Sequence, residues 1–244
     1  HNGDRERAMS LIDLAADAKV DAVKFQTFDA RKLVTRSVSK AIYQQETTGV
    51  KEDQLDMLLS LELPHEWHFS LMEHAKARGI DFTSTAFDQS SLEFVKTLNV
   101  PFMKIASGEL VNGPLLWKIA STGKPLIIST GMATLSEVEA GLAVVAHALS
   151  SDVEPSSMSD VWQAWSDPSK RRKLEGHVRL LHCTSQYPTP LNEVNLCAMD
   201  TLRDAFGLEV GYSDHTEGIL MSVVAAARGA KVIEKHFTMD RSLP

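Results

Sequence analysis

Cysteine is scarce in this chain of 244 residues. Cys183 and Cys197 are the two present, too few for a disulfide scaffold and not spaced as a zinc knuckle. A reducing, cytoplasmic setting is therefore expected. Long apolar runs are missing too. The nearest, 218–230, is interrupted by Ser222 and Arg228 and falls short of the roughly 18 residues that span a bilayer. Positive charge is not in excess: the net charge is −7, the wrong sign for coating nucleic acid or an anionic membrane. With 13 Gly and 9 Pro, fibrous and low-complexity classes are excluded. No GxxxxGK[ST] phosphate loop occurs, which argues against a nucleoside triphosphatase, and HEWH at 65–68 is not HExxH.

What is present is alternation. Short apolar runs at 22–27, 81–85, 102–106, 125–130, 178–183, 209–213 and 231–236 read as strands. Between them, 4–18, 64–78, 89–98, 113–121, 135–149, 196–206 and 218–228 carry helical periodicity. Asp4 and Pro64 suit helix starts, and Gly79, Gly123 and Gly229 suit helix ends. Seven βα units predict an α/β fold, a (β/α)8 TIM barrel lacking its first strand. A doubly wound open sheet is the alternative. Residues 150–176 break the rhythm, and their VWQAW and KRRK segments predict a helical insertion with a solvated basic face.

In a parallel barrel the catalytic groups lie at the C-terminal strand ends. Here those ends carry Lys24 and Gln26, Ser84 and Thr85, Lys104 through Glu109, Ser129 through Gly131, His182 through Tyr187, Ser213-Asp214-His215 and Glu234-Lys235-His236. Two lysines among hydroxyls and glycine-flanked amides make an anion cradle suited to phosphate plus carboxylate. An ion pair of Lys24 with Glu109 or Glu234 is the plainer alternative. His215 and His236 end neighbouring strands, so two imidazoles could share one cation, Mn, Fe, Co or Zn, with positions left for water and substrate. Core hydrogen bonding of both rings is the competing reading. Glu234, two residues before His236, would orient a ligand or handle a proton. His65, Glu66 and His68 are expected at a surface, Cys183 as a small buried hydrophobe, and Met132 and Met221 in the core.

Taken in order, HNG at 1–3, VKFQT at 23–27, FTSTAFD at 82–88, KIASGE at 104–109, STGM at 129–132, LLHCTSQYPTP at 180–190, GYSDHTEG at 211–218 and VIEKHFTMDRSLP at 232–244 resemble the sialic acid synthase family, of the N-acetylneuraminate synthase type. The resemblance covers the chain except 150–176. It implies one catalytic barrel over 1–244, with a strand before His1 and a C-terminal antifreeze-like domain after Pro244 lying outside this chain. It implies a transferase that condenses phosphoenolpyruvate with N-acetylmannosamine or a related acetamido sugar, releasing phosphate by C–O cleavage. By motif, Lys24, Thr85, Lys104, Ser107, Ser185 and Ser213 would surround phosphoenolpyruvate, with Glu109 and Asp214 among the substrate-binding residues. Many members carry Asn at the place of Ser185, so one phosphate contact is expected to be weaker. His215 and His236 would hold a divalent metal, typically manganese, with magnesium or cobalt as substitutes. Gln26, Tyr187 and Glu234 would face the sugar or the reacting carbons. The family forms a domain-swapped homodimer. The rival functional readings are a class I aldolase using Lys24 or Lys104 as a Schiff base, and a barrel that binds sugar without turnover.

Overall fold

The computed structural model describes residues 1–35 and 53–241. The end of the motif at 232–244 thus lies outside the described residues. The contacts of the chain fall into two compact units, His1–Pro101 with the chain end, and Phe102–His236.

The first unit opens with helix α1 (Arg5–Asp17). Its N-cap Asp4 accepts from the Arg7 amide, and Ala8, Ile12 and Ala15 form its buried stripe. Strand β1 (Ala22–Thr27), helices α2 (Ala30–Leu33), α3 (Gln54–Leu61) and α4 (His65–Ala77), strand β2 (Asp81–Ala86) and helix α5 (Gln89–Thr97) follow. β1 and β2 pair in parallel, with Lys24 opposite Thr83 and Gln26 opposite Thr85. Side chains alternate along a strand. Lys24 and Gln26 therefore share one face, while Val23, Phe25 and Thr27 are buried on the other. There Phe25 stacks on Phe82 with ring centres 5.5 Å apart.

That buried face corrects one expectation. His68 is not at a surface: it is 0% exposed and lies on the buried stripe His68, Leu71, Ala75 of α4. Its Nδ1–H donates to the Pro64 carbonyl at 3.1 Å. Nε2 then accepts from the Thr27 hydroxyl at 2.8 Å, and Ser84 Oγ lies 2.7 Å from Thr27 Oγ1. Burial holds the His68 ring neutral, with its pKa lowered to about 4.

The second unit is a five-stranded parallel sheet in the order β3 (Met103–Ile105), β4 (Leu126–Ser129), β5 (Val178–Cys183), β6 (Glu209–Asp214) and β7 (Ile233–Lys235). The connections are α6 (Gly113–Ala120), α7 (Leu135–Ala148), α8 (Met158–Ser166), α9 (Pro168–Arg171), α10 (Cys197–Phe206) and α11 (Leu220–Ala227). α6 starts with Asn112 accepting from Leu115, with Pro114 in its first turn. α7 starts with a capping box between Thr134 and Glu137. β7 is shorter than the apolar run that announced it, because Lys231 and Val232 use backbone groups to meet β6 before regular pairing begins.

Residues 150–176 hold α8, α9 and a one-turn 3-10 helix, Arg172–Leu174. α8 packs on α7 through buried Val161 and Ala164. Trp165 Nε1 donates to Glu139 at 2.9 Å, and the Arg171 guanidinium lies 5.6 Å from the Trp165 ring centre. Met132, expected in the core, is 75% exposed. It occupies the turn after β4 at φ 65°.

Parallel register keeps partners on the same face. One face of this sheet carries Met103, Ile105, Leu126, Ile128, Val178, Leu180 and Val210, all buried. The other carries Lys104, Ser129, Cys183, Ser213 and Glu234. Hydrophobic burial spends one face on the core and leaves a row of polar groups on the opposite face.

Candidate active site

Lys104 is the centre of that row. Its side chain is 3% exposed, and Nζ donates to Ser129 Oγ at 2.7 Å and to the Ile105 carbonyl at 2.9 Å. Glu234 Oε1 lies 3.7 Å from the same nitrogen and accepts from Ser213 Oγ at 2.8 Å. Nζ thus donates two hydrogen bonds and has a carboxylate within ion-pair distance. A buried charge survives only when it is paired in this way.

Beyond the strand ends, the chain narrows around Gly131. Its amide donates to Ser107 Oγ at 3.0 Å, and Ser107 Oγ lies 3.1 Å from Cys183 Sγ. A Cβ built on Gly131 would fall 2.7 Å from Cys183 Sγ, 2.7 Å from Ser185 Oγ and 2.9 Å from Ser107 Oγ. Ser107, Ser185 and Gly131 thus converge on a space that any other residue would fill. Cys183 is buried, as expected of a small hydrophobe.

The imidazoles come next along the same face. The rings of His215 and His236 have centres 5.6 Å apart, and the Tyr187 ring lies 4.3 Å from His215 and 6.1 Å from His236. His215 Nδ1–H donates to the Thr184 carbonyl at 2.7 Å, which leaves Nε2 as the basic nitrogen. Ser213 Oγ lies 3.4 Å from Nε2, but its proton serves Glu234. A backbone carbonyl fixing one ring nitrogen is how metal-binding histidines are oriented. With metal–nitrogen bonds of about 2.1 Å, each ring centre stands about 3 Å from the ion, so the observed separation suits two ligands of one cation. Among the described residues, no group of three or more His, Cys, Asp and Glu is set to hold a metal.

Asp214 departs from the expected substrate contact. Its side chain is 0% exposed and lies on the helix-facing side of β6 with Tyr212. Oδ1 accepts from the amide and hydroxyl of Thr216 at 2.9 and 2.7 Å. Oδ2 accepts from Ser222 at 2.5 Å and pairs with Lys235 at 3.0 Å. Burial alone would raise its pKa, but the donors from Ser222, Thr216 and Lys235 outweigh it and hold the carboxylate below its usual range. Burial and this carboxylate together push the Tyr212 phenol up. The signal was in the sequence: strand alternation puts Asp214 opposite Ser213 and His215.

Glu109 ends the 3-10 turn Ser107–Glu109 and accepts from Asn112 Nδ2 at 2.8 Å. Lys24, Gln26 and Thr85 belong to the first unit. There, Thr85 is 1% exposed and its hydroxyl has no hydrogen-bond partner among the described residues. A buried hydroxyl without a partner costs about 1–3 kcal/mol, an arrangement that a ligand or water relieves.

A family model described as the NeuB family matches residues 11–244. The chain belongs to the NeuB family. It is 45% identical over 243 residues to N,N'-diacetyllegionaminic acid synthase of Campylobacter jejuni, covering all of this chain and 66% of that protein. It is 46% identical to the protein of the same name from Legionella pneumophila, covering 63% of its length. This NeuB-family chain thus spans a little under two thirds of the length of these curated relatives. Among solved structures, N-acetylneuraminic acid (sialic acid) synthetase of Leptospira borgpetersenii superposes with a TM-score of 0.75 at 31% identity, covering 99% of this chain and 71% of that one. The fold class is the TIM barrel expected from the βα alternation. No helix among the described residues is long and apolar enough to cross a membrane.

Proposed function

We propose that this protein is a nonulosonic acid synthase, condensing phosphoenolpyruvate with an acetamido sugar and releasing phosphate. One observation carries the proposal: Lys104, Ser129, Ser213, Glu234, His215 and His236 stand on one face of the sheet in a chain of the NeuB family. The names of the relatives at 45% and 46% identity favour a diacetamido-trideoxy sugar, the legionaminic precursor, over N-acetylmannosamine or its 6-phosphate.

The methylene carbon of phosphoenolpyruvate forms a bond to the aldehyde carbon of the open-chain sugar. Water adds to the former enol carbon, and phosphate leaves by cleavage of its C–O bond. Lys104 supplies positive charge to the acidic substrate, and the hydroxyls of Ser107 and Ser185 with the space above Gly131 receive its oxygens. Glu234, held at Oε1 by Ser213 and beside Lys104, takes one proton of the added water and passes it to the former aldehyde oxygen, while the other leaves with phosphate as the new carbonyl forms. Tyr187 orients the sugar, and holding both reactants in place removes much of the entropic barrier. His215 and His236 would hold a divalent metal, manganese first, which when bound supplies Lewis-acid polarisation of a carbonyl oxygen. Lys24, Gln26, Thr85 and Glu109 enter the proposal on the family motifs. So do the single catalytic domain with its insertion at 150–176, the homodimer and the cytoplasmic setting, the last in keeping with two free cysteines.

The test is phosphate release from phosphoenolpyruvate by the intact protein with manganese, against those sugars and the pseudaminic precursor. Fastest turnover with the legionaminic precursor is expected, and ¹⁸O in the bridging position should leave with phosphate. Release of pyruvate, or no turnover of any sugar, would refute the proposal. Borohydride with pyruvate should trap nothing, because Lys104 is surrounded as an ammonium rather than poised as a nucleophile.

A further inference from the structure

The face of β6 and β7 opposite the catalytic row carries a polar assembly that the reaction does not use. Asp214 and Lys235 are register partners on adjacent strands, and each immediately precedes one of the two histidines. The Asp214 carboxylate reaches past His215 and binds both the amide and the hydroxyl of Thr216, closing a tight turn around His215. Lys235 Nζ binds the same carboxylate at 3.0 Å and the Thr216 carbonyl at 2.7 Å. Ser222, on α11, donates one more hydrogen bond to Asp214 Oδ2. The backbone that carries His236 is therefore tied to the backbone that carries His215 through one half-buried ion pair and one residue, Thr216.

Burying the Asp214 carboxylate is costly unless it is paired and hydrogen-bonded, and each of its donors here comes from this one assembly. Its geometric consequence is specific. Two strand ends that could fray independently are fixed in register at the point where two imidazoles must converge.

We propose that Asp214 and Lys235 are positioning residues that hold His215 and His236 at the separation needed to share one divalent cation. The proposal rests on the reading of those histidines as a metal pair. It replaces the substrate contact that the motif implied for Asp214.

The experiment is a Mn²⁺ titration of the intact protein without substrate, followed by electron paramagnetic resonance of free Mn²⁺, for wild type, His215→Ala, Asp214→Asn, Lys235→Met and Ser222→Ala. His215→Ala should abolish specific binding. Asp214→Asn and Lys235→Met should raise Kd for Mn²⁺ about 10–100-fold, the range found when groups that orient metal ligands are removed. The double variant should cost less than the sum of the two singles, because they share one interaction. KM for phosphoenolpyruvate at saturating Mn²⁺ should stay near wild type, whereas a substrate contact would raise it. If His215→Ala keeps wild-type affinity, the metal reading itself fails. If His215→Ala loses Mn²⁺ while Asp214→Asn and Lys235→Met bind it as wild type does, the positioning role is wrong. Should Asp214→Asn not fold, Ser222→Ala, which keeps the charge and removes one donor, is decisive. A rise in Kd of about threefold supports the proposal, and an unchanged Kd overturns it.

Discussion

Replacing Gly131 by alanine adds one methyl group at the point where the anion cradle is tightest. The new Cβ would stand 2.7 Å from Cys183 Sγ, 2.7 Å from Ser185 Oγ and 2.9 Å from Ser107 Oγ. Non-bonded heavy atoms prefer about 3.5 Å or more, so all three tips must retreat by about half an ångström or more. Gly131 is not in a left-handed conformation, so the penalty is steric and local. Ser107 would have to turn away from the Gly131 amide and lose a hydrogen bond with a net worth of about 1 kcal/mol. Overpacking of this kind costs about 1–3 kcal/mol, which in a chain of this size lowers Tm by roughly 2–12 °C. The functional effect is larger than the structural one. The methyl group occupies the space assigned to phosphoenolpyruvate oxygens, so KM for phosphoenolpyruvate should rise at least about tenfold, or about 1.4 kcal/mol. The assay is phosphate release against phosphoenolpyruvate concentration, alongside thermal unfolding. Gly141→Ala is the control: its Cβ would strike Leu110 Cδ1 at 2.6 Å inside the helix layer, so it should lower Tm and leave KM alone. A Gly131→Ala protein with KM within twofold of wild type would refute the cradle.

Three further outcomes follow from the same structure. His68 has a folded pKa of about 4 against an unfolded value near 6.5, so the unfolded chain binds more protons between these limits. Its contribution is complete above pH 6.5 and is lost as pH falls toward 4, by at most about 3 kcal/mol; denaturant unfolding of His68→Gln should show a shallower decline across that window, and an unchanged slope would contradict the assignment. Lys104→Met removes the cation beside Glu234 and should cost about 3 kcal/mol, while adding Glu234→Gln should recover part of the loss, as a double-mutant cycle would show. Trp165→Phe removes the bond to Glu139 and should lower stability by about 1 kcal/mol with no change in sugar preference, which calorimetry and the sugar panel would check together.

Much of the site was readable because period-two alternation is a strong signal. Ser213 with His215, and Glu234 with His236, share a face by counting alone. The strands at 22–27 and 178–183 came out with the same limits in sequence and structure. Other features depend on partners distant in sequence. That Lys104 meets Ser129 depends on the register of β3 with β4, and that it meets Glu234, on the opposite edge strand β7, depends on the curl of the five-stranded sheet, neither of which a local pattern states. His68 looked like surface because its neighbours His65 and Glu66 are polar, yet its spacing to Leu71 and Ala75 marked the buried stripe. Asp214 sits in a row of catalytic-looking residues, and its true partner Ser222 comes from the helix that follows. Helices α2 and α3 passed unnoticed, being one and two turns long.

The central claim is that one polar sheet face gathers a cation and phosphoenolpyruvate. Its most direct test is anomalous diffraction at the manganese edge from crystals of the intact protein soaked with Mn²⁺ and phosphoenolpyruvate. The account predicts one strong peak about 2.2 Å from a ring nitrogen of both His215 and His236, with the substrate's oxygens against Lys104 and Ser107. A peak bound elsewhere, with those two imidazoles left to the protein's own hydrogen bonds, would contradict it.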